Sequence, residues 1–358
     1  MQPSKFHAAS WLIWALSGAA IVQLAPNPAL LLVVLAVAAA VVAACSIGGP
    51  LARAFPQLVA VGVAFGALRV VLLSLTTHGV SEAWFRLPEV TLPRIMGGFT
   101  VGGTVEGDVV LQAAAESLQL VALLGVFGAF NSVVAHYELV GLLPKAYHEV
   151  GLVISVALAF VPSVITGLHD VREADRARSG GQPVRRRRSG RLLLPVLERG
   201  LDRSIALSES MDARGFAHEP PTRTERTGSW LGLAAVVAVA AAGVALVGQA
   251  RGWAAWFLVL GAVALGVTGW LSSRSRDRTR YRPRRMDGND VAMALVAASG
   301  AMLMAAASLT EDASLRWGPG DGLDVSAASL VAVLALLAPV VLPGRVEARD
   351  PRPQSVPS

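Results

Sequence analysis

The chain has almost no cysteine and almost no lysine. Cys45 is the single thiol in 358 residues. No intramolecular disulfide can form, and no Cys/His cluster shows metal-ligand spacing. The only lysines are Lys5 and Lys145. A Gly-x-x-x-x-Gly-Lys-Ser/Thr loop is therefore missing, and the chain is not its own ATPase by that motif. No nucleophile stands beside a general base in any recognisable pattern. The sequence pI is about 10.3, but the basic loops lack interleaved aromatics, which argues against nucleic acid as a partner. Charged residues make up only 16% of the chain.

What replaces charge is long apolar sequence. The chain is 54% hydrophobic, with mean hydropathy +0.55. Continuous runs near 20 residues are the length that crosses a bilayer as a helix. They lack the short alternating strands of an outer-membrane barrel. The expected fold is all-α: a polytopic membrane protein of a bacterial-type inner membrane, with about eight transmembrane helices. They are read at 11–25, 29–47, 57–75, 109–130, 229–248, 252–271, 291–309 and 326–343. The chain stays apolar after its first run, so that run reads as a retained span rather than a cleaved signal. Residues 76–108 read as a long Gly-, Pro- and Thr-rich connection without a strong period.

The sequence divides into N-terminal helices (1–130), a charged middle region (131–228), C-terminal helices (229–343) and a tail (344–358). Basic loops of membrane proteins face the cytoplasm. Arg172 to Arg191 is one such segment, and Arg274 to Arg285, with seven arginines, is the other. Two spans between them put both on one side. The mostly acidic loop Glu311–Asp324 then falls outside. Hydropathy alone leaves Val150–Leu168 open. If it does not span, the N-terminus is inside; if it does, the N-terminus is outside.

The middle region carries two short arginine motifs. Ala177-Arg178-Ser179 ends one helical pattern before Gly180-Gly181, and Ala213-Arg214-Gly215 ends another. Cations suit helix C-termini, and glycine stops the last turn there. The second pattern, Leu192 to Ala213, is amphipathic, with Leu194, Leu197, Leu201, Ile205, Leu207 and Met211 at helical spacing. Pro195 reads as part of its first turn. A guanidinium fork between small residues suits docking on another protein. The residues alone also allow a plainer reading, helix-end charges near lipid headgroups. Arg185 to Arg188 read as an inside-facing run that binds anionic membrane lipids.

These motifs resemble the transmembrane T component of energy-coupling factor (ECF) transporters, the cobalt-transport permease relatives. The second motif, Ser210-Met-Asp-Ala-Arg-Gly-Phe216, matches closely; the first has Ser179 in place of the usual glycine. Phe160-Val-Pro162 before a charged helix and Asn27-Pro28 before an apolar run also fit, over roughly residues 20 to 250. The resemblance implies a non-catalytic subunit of an ATP-driven importer of a vitamin or metal ion. It implies two cytoplasmic coupling helices that dock on two ABC-type ATPase subunits. Ala177, Arg178, Ser179, Ala213, Arg214 and Gly215 would form the contacts. ATP would be bound by those partners, with no cofactor in this chain. A separate membrane subunit would bind substrate. The resemblance also places Val150–Leu168 in the first coupling helix, with Pro162 kinking or restarting it. Residues 252–343 extend past the resemblance and are expected to be peripheral to ATPase coupling.

Two ionisable residues stand alone in apolar spans, Arg69 and Glu116. Such groups usually find partners inside the bundle. A direct pair is one reading; snorkelling or a water-facing position is the other. A secondary transporter or membrane-embedded enzyme is the competing function. It would need intramembrane polar clusters, and these two residues and a few glutamines are all the spans offer.

Overall fold

The computed structural model describes residues 4–46, 53–77, 83–91, 100–142, 148–178, 189–215, 223–247, 260–261, 263–264, 266–268, 286–310 and 313–344. The expected span 252–271 falls mostly outside them. Ser179, the Arg185–Arg188 run, the basic loop 274–285 and the tail from 345 lie wholly outside. The chain folds as two compact units: residues 1–139 with 282–358, and residues 140–281.

The first unit opens with α1 (Ala8–Leu24) and α2 (Pro28–Cys45). Each start is capped by the residue before it. The His7 ring accepts from the Ala9 N–H, and Asn27 Oδ1 accepts from the Ala29 N–H at 2.9 Å. Asn27 is an ordinary N-cap, and Pro28 at the first helical position has no N–H to waste. The Asn27 amide also donates to the carbonyls of Ser314 and Asp324, at 2.8 and 2.9 Å. One side chain thus starts a helix and ties down the loop before the last helices.

Helices α3 (Ala54–Thr76) and α4 (Gly107–Val133) form the closest pair. Small residues let their backbones approach, as in membrane bundles generally. A Cβ at Gly66 would meet Ser117 Cβ at 3.1 Å, and one at Gly128 would meet Phe55 Cα at 3.0 Å. Ser117 Oγ lies 3.2 Å from the Gly66 carbonyl, and Ser132 Oγ accepts from the Phe55 N–H at 3.0 Å. These contacts set an antiparallel register.

Between α3 and α4 the sequence suggested an irregular connection, but its described residues are strands. They form an antiparallel hairpin of β1 (Ala83–Thr91) and β2 (Thr100–Glu106). The register slips between Leu87 and Val90, around Pro88. Proline cannot donate to a ladder and is tolerated at such a bulge. Opposite it, Gly103 has φ +100°, a conformation that side chains disfavour. Pro88 and Gly103, part of the content that read as a loop, sit at this register shift.

The C-terminal helices belong to the same unit. They are α9 (Gly288–Leu309) and the shorter α10 (Ala327–Leu334). A 3₁₀ turn (Ala335–Leu337) and α11 (Ala338–Val341) follow. They pack on α1 and α2. Trp11 and Trp14 are fully buried and meet edge to face at 5.7 Å. Trp14 Nε1 donates to the Leu336 carbonyl at 2.8 Å. Asp290, buried, accepts from the His7 N–H and from the Asp287 N–H, both at 2.8 Å. The second of these completes the capping box that starts α9. Residues that read as an extension of the fold therefore cover the core of its first two helices.

The second unit contains α6 (His148–Arg178), α7 (Ser189–Asp212) and α8 (Arg223–Val247). A short α5 (His136–Val140) precedes it. Helix α6 runs through Pro162 as one helix, without the restart that was one of the two expectations there. The ring removes one backbone hydrogen bond, but the flanking turns keep helical geometry. Helix α7 starts at Ser189, earlier than the apolar pattern suggested, so Pro195 lies inside it and not in its first turn.

Among the described residues, five helices are long and apolar enough to cross a membrane: α2, α3, α4, α9 and, within α6, Val153–Ala177. Helix α1 and the stretch 327–341 are apolar but shorter. This is a multi-pass helical membrane protein. Four of these, α2, α3, α4 and α9, are expected spans, and the one within α6 is the run that hydropathy left open. The expected spans 11–25 and 326–343 fall on the shorter helices, 229–248 on α8 is not among the five, and 252–271 lies mostly outside the described residues.

Candidate functional site

The α3–α4 register decides where Arg69 goes. With Gly66 against Ser117, one turn further along α3 faces Glu116. The Arg69 guanidinium pairs there with Glu116 Oε2. Gln112, one turn before Glu116 on α4, donates to its other oxygen at 2.8 Å. Both charged side chains are partly exposed. The cost of placing an ionisable group in a span is lowered by pairing it, and here a carboxylate is satisfied from both sides. Gln112 was not picked out from sequence, although its i, i+4 spacing to Glu116 would have pointed to it.

The two arginine motifs sit at the ends of α6 and α7. Helix α6 ends at Arg178, with Ala177 exposed beside it. Helix α7 ends at Asp212, and residues 213–215 form a turn. The Ala213 N–H donates to the Glu209 carbonyl at 3.0 Å, Arg214 N–H to Met211 at 3.1 Å, and Gly215 N–H to Asp212 at 2.9 Å. Gly215 has φ +74°, the left-handed conformation in which glycine ends a helix. The tightening turn puts Ala213, Arg214 and Gly215 at an exposed tip. A Cβ on Gly215 would meet nothing, so its conformation, not crowding, requires glycine.

Helices α6 and α7 meet in opposite chain sense. Arg199 of α7 lies 3.9 Å from Asp170 of α6, while Arg203 stands 5.8 Å over the ring of Phe160. Later residues of one helix thus meet earlier residues of the other. Near the crossing lie Gly167 and Gly200, which leave a groove of about 270 Å³. From there Arg178 and Arg214 each lie on the order of 20 Å away, at 1.5 Å per residue. They lie toward opposite ends of the crossed pair and are not brought together. The groove was not anticipated. The i, i+4 pairs Val196/Gly200 and Arg199/Arg203, three residues apart, would have marked one stripe.

Much of this pair's apolar surface is open. Val153, Val161 and Ile165 of α6 are exposed, as are Leu194, Leu197, Leu201 and Ile205 of α7. Among the described residues, no group of three or more His, Cys, Asp or Glu side chains is placed to hold a metal ion.

This is a multi-pass membrane protein in which the crossed helices α6 and α7 each run into an arginine motif. Residues 4–225 match the CbiQ family, described as cobalt transport protein. The chain belongs to that family, which is the family of ECF transporter T components. No curated protein matches it. The match ends at 225, so the helices that cover α1 and α2 from the C-terminal side lie beyond it.

Proposed function

We propose that this chain is the energy-coupling subunit of an ATP-driven importer for a metal ion of the cobalt type or a vitamin. Family membership supports a transport component acting in an ABC-type system. The observation that carries the finer reading is the pair of arginine-tipped helix ends facing away from one crossing. Two tips pointing apart suit two separate ATPase subunits better than one shared site.

In this reading α6 and α7 are the coupling helices, and they lie on the cytoplasmic side. Arg178 and Arg214 enter grooves on the two ATPases, where a planar fork pairs with carboxylates and carbonyls. ATP binding and hydrolysis take place in those partners. As the ATPases move, the tips move with them, and the crossing converts that motion into a change of angle. The open apolar face of the pair passes it to a separate membrane subunit that holds the substrate. Ala177, Ala213 and Gly215 keep the tips slim, and Gly215 turns the chain away from the docked surface.

The test is pull-down of the ATPases from membranes, with uptake measured in parallel. Arg178→Ala and Arg214→Ala each weaken the complex, and the double variant abolishes both readouts. Truncating one partner of a buried charge pair costs about 2–5 kcal/mol. Two linked contacts reinforce each other, so single variants keep partial assembly. Arg214 has the larger effect, since its motif is complete while Ser179 departs from the pattern. Lysine at either position rescues poorly, because a point charge lacks the fork. Normal ATPase retention and uptake in the double variant would overturn the proposal.

A further inference from the structure

We infer that the groove between α6 and α7 is a binding site for the phosphate headgroup of an anionic phospholipid. It is lined by Phe160, Ser163, Gly167, Asp170, Arg199 and Arg203, among others. Two guanidiniums face one carboxylate there, leaving the groove one positive charge in excess. The Asp170–Arg199 contact is long, at 3.9 Å, so that guanidinium keeps donors to spare. Arg203 rests on the face of Phe160, which uses the ring quadrupole and leaves its N–H fork open. A phosphodiester supplies acceptor oxygens for both forks.

The surroundings select a lipid over a free anion. Val164 and Val196 line the groove beside the charged groups, and Val161, Ile165, Leu197 and Leu201 on the same two helices are apolar and exposed. A free phosphate has no use for apolar surroundings, whereas acyl chains would cover them. The groove also sits where α6 changes character. Residues 150–168 are apolar, and His169 to Arg178 are mostly charged. That boundary is where a headgroup lies, whether the helix crosses the bilayer or rests on it. Gly167 and Gly200 border open space, since a Cβ at either would meet nothing within 4 Å. The site is separate from the arginine tips, and it stands whether or not they dock ATPases.

The experiment is native mass spectrometry of the full chain in neutral detergent, titrated with phosphatidylglycerol or phosphatidylcholine. We expect one retained phosphatidylglycerol and no comparable phosphatidylcholine. Arg199→Gln and Arg203→Gln should each weaken retention about five-fold, the weight of one arginine near an anionic lipid. The double variant should lose the lipid. Asp170→Asn should strengthen retention, because it removes the competing carboxylate. Gly167→Leu should block the groove without disturbing the fold, as measured by thermal unfolding. Unchanged retention in the double variant would overturn the site. So would loss of the lipid only when Arg185–Arg188 are neutralised, or displacement by inorganic phosphate as complete as by free phosphatidylglycerol. A lipid-free chain whose groove is protected only by a co-expressed membrane partner would reassign it to an acidic protein segment.

Discussion

Glycines separate the two units of this molecule. In the packed helices of the first unit they are filled in by neighbours, although Gly288 and Gly320 at its loops and helix starts are not: a Cβ on Gly300 would sit 2.7 Å from the Ala332 carbonyl oxygen, and one on Gly125 would sit 2.6 Å from Leu35. In the second, Gly167, Gly200 and Gly215 face open space. Large apolar residues are exposed in both units, Phe65, Met302 and Leu309 among them in the first, but the first also buries a set of them as a core. Trp11, Trp14, Leu30 and Leu31 are buried within the chain, while Leu194, Leu197 and Leu201 are exposed. One unit closes its own packing. In the other, α6 and α7 bury little of their apolar surface within the chain.

The largest expected effect tests the closed side. Ending the chain after residue 281 removes Leu336, Met293 and Met304, all fully buried. It also removes the carbonyls that receive Trp14 and Asn27. Residues 252–343 read as dispensable for ATPase coupling from sequence. With α9 to α11 covering α1, the truncated chain should instead be degraded or aggregate, seen as loss of a monodisperse peak in detergent. A stable truncated protein would show that the first four helices close without them.

Single substitutions sharpen the contrast. Trp14→Ala should cost about 3–5 kcal/mol, as for large aromatic deletions in packed cores. Gly300→Leu should be comparably harmful, because a backbone oxygen must give way. Leu201→Ser on α7, by contrast, should leave the unfolding midpoint nearly unchanged and lower uptake, because its apolar contact lies outside the chain. A large loss of midpoint in Leu201→Ser would mean that α7 is buried within the chain after all.

Arg69 and Glu116 give an intermediate case, a paired charge at a partly exposed position. A double-mutant cycle of Arg69→Gln and Glu116→Gln should return a coupling of about 0.5–3 kcal/mol. Removing Gln112 should lower that coupling if it holds the carboxylate in place. Asn27→Ala should cost about 1 kcal/mol for the cap, and more if its two loop contacts also count. The smallest effect is expected at Gly167→Ala, within about 0.5 kcal/mol on stability, since it adds a methyl to open space.

Much of the architecture was legible in the residues. Uninterrupted apolar runs in α2, α3, α4 and α9 must be helices, because only a helix satisfies its own backbone in lipid. Asn27-Pro28 marked a helix start, and Arg214-Gly215 marked a helix stop. Local chemistry decides both, so sequence suffices. The hairpin was missed because Gly and Pro weaken a strand pattern, and both sit at its bulge. The early start of α7 was missed, and α6 does not restart at Pro162, because neighbouring turns can override a single residue's propensity.

By itself the sequence determined that this is a helical membrane protein, that it carries no ATPase loop, and that two arginines end two helices. Each follows from composition or from residues within a few positions of one another. Tertiary structure alone decided that Arg69 meets Glu116 and that Trp14 is covered by Leu336. It also decided that α6 and α7 cross in opposite sense, sending the arginine tips apart and opening a groove between Asp170 and Arg203. These depend on the register between helices distant in sequence. That register is set by which small residues let two backbones approach, and no local pattern encodes it.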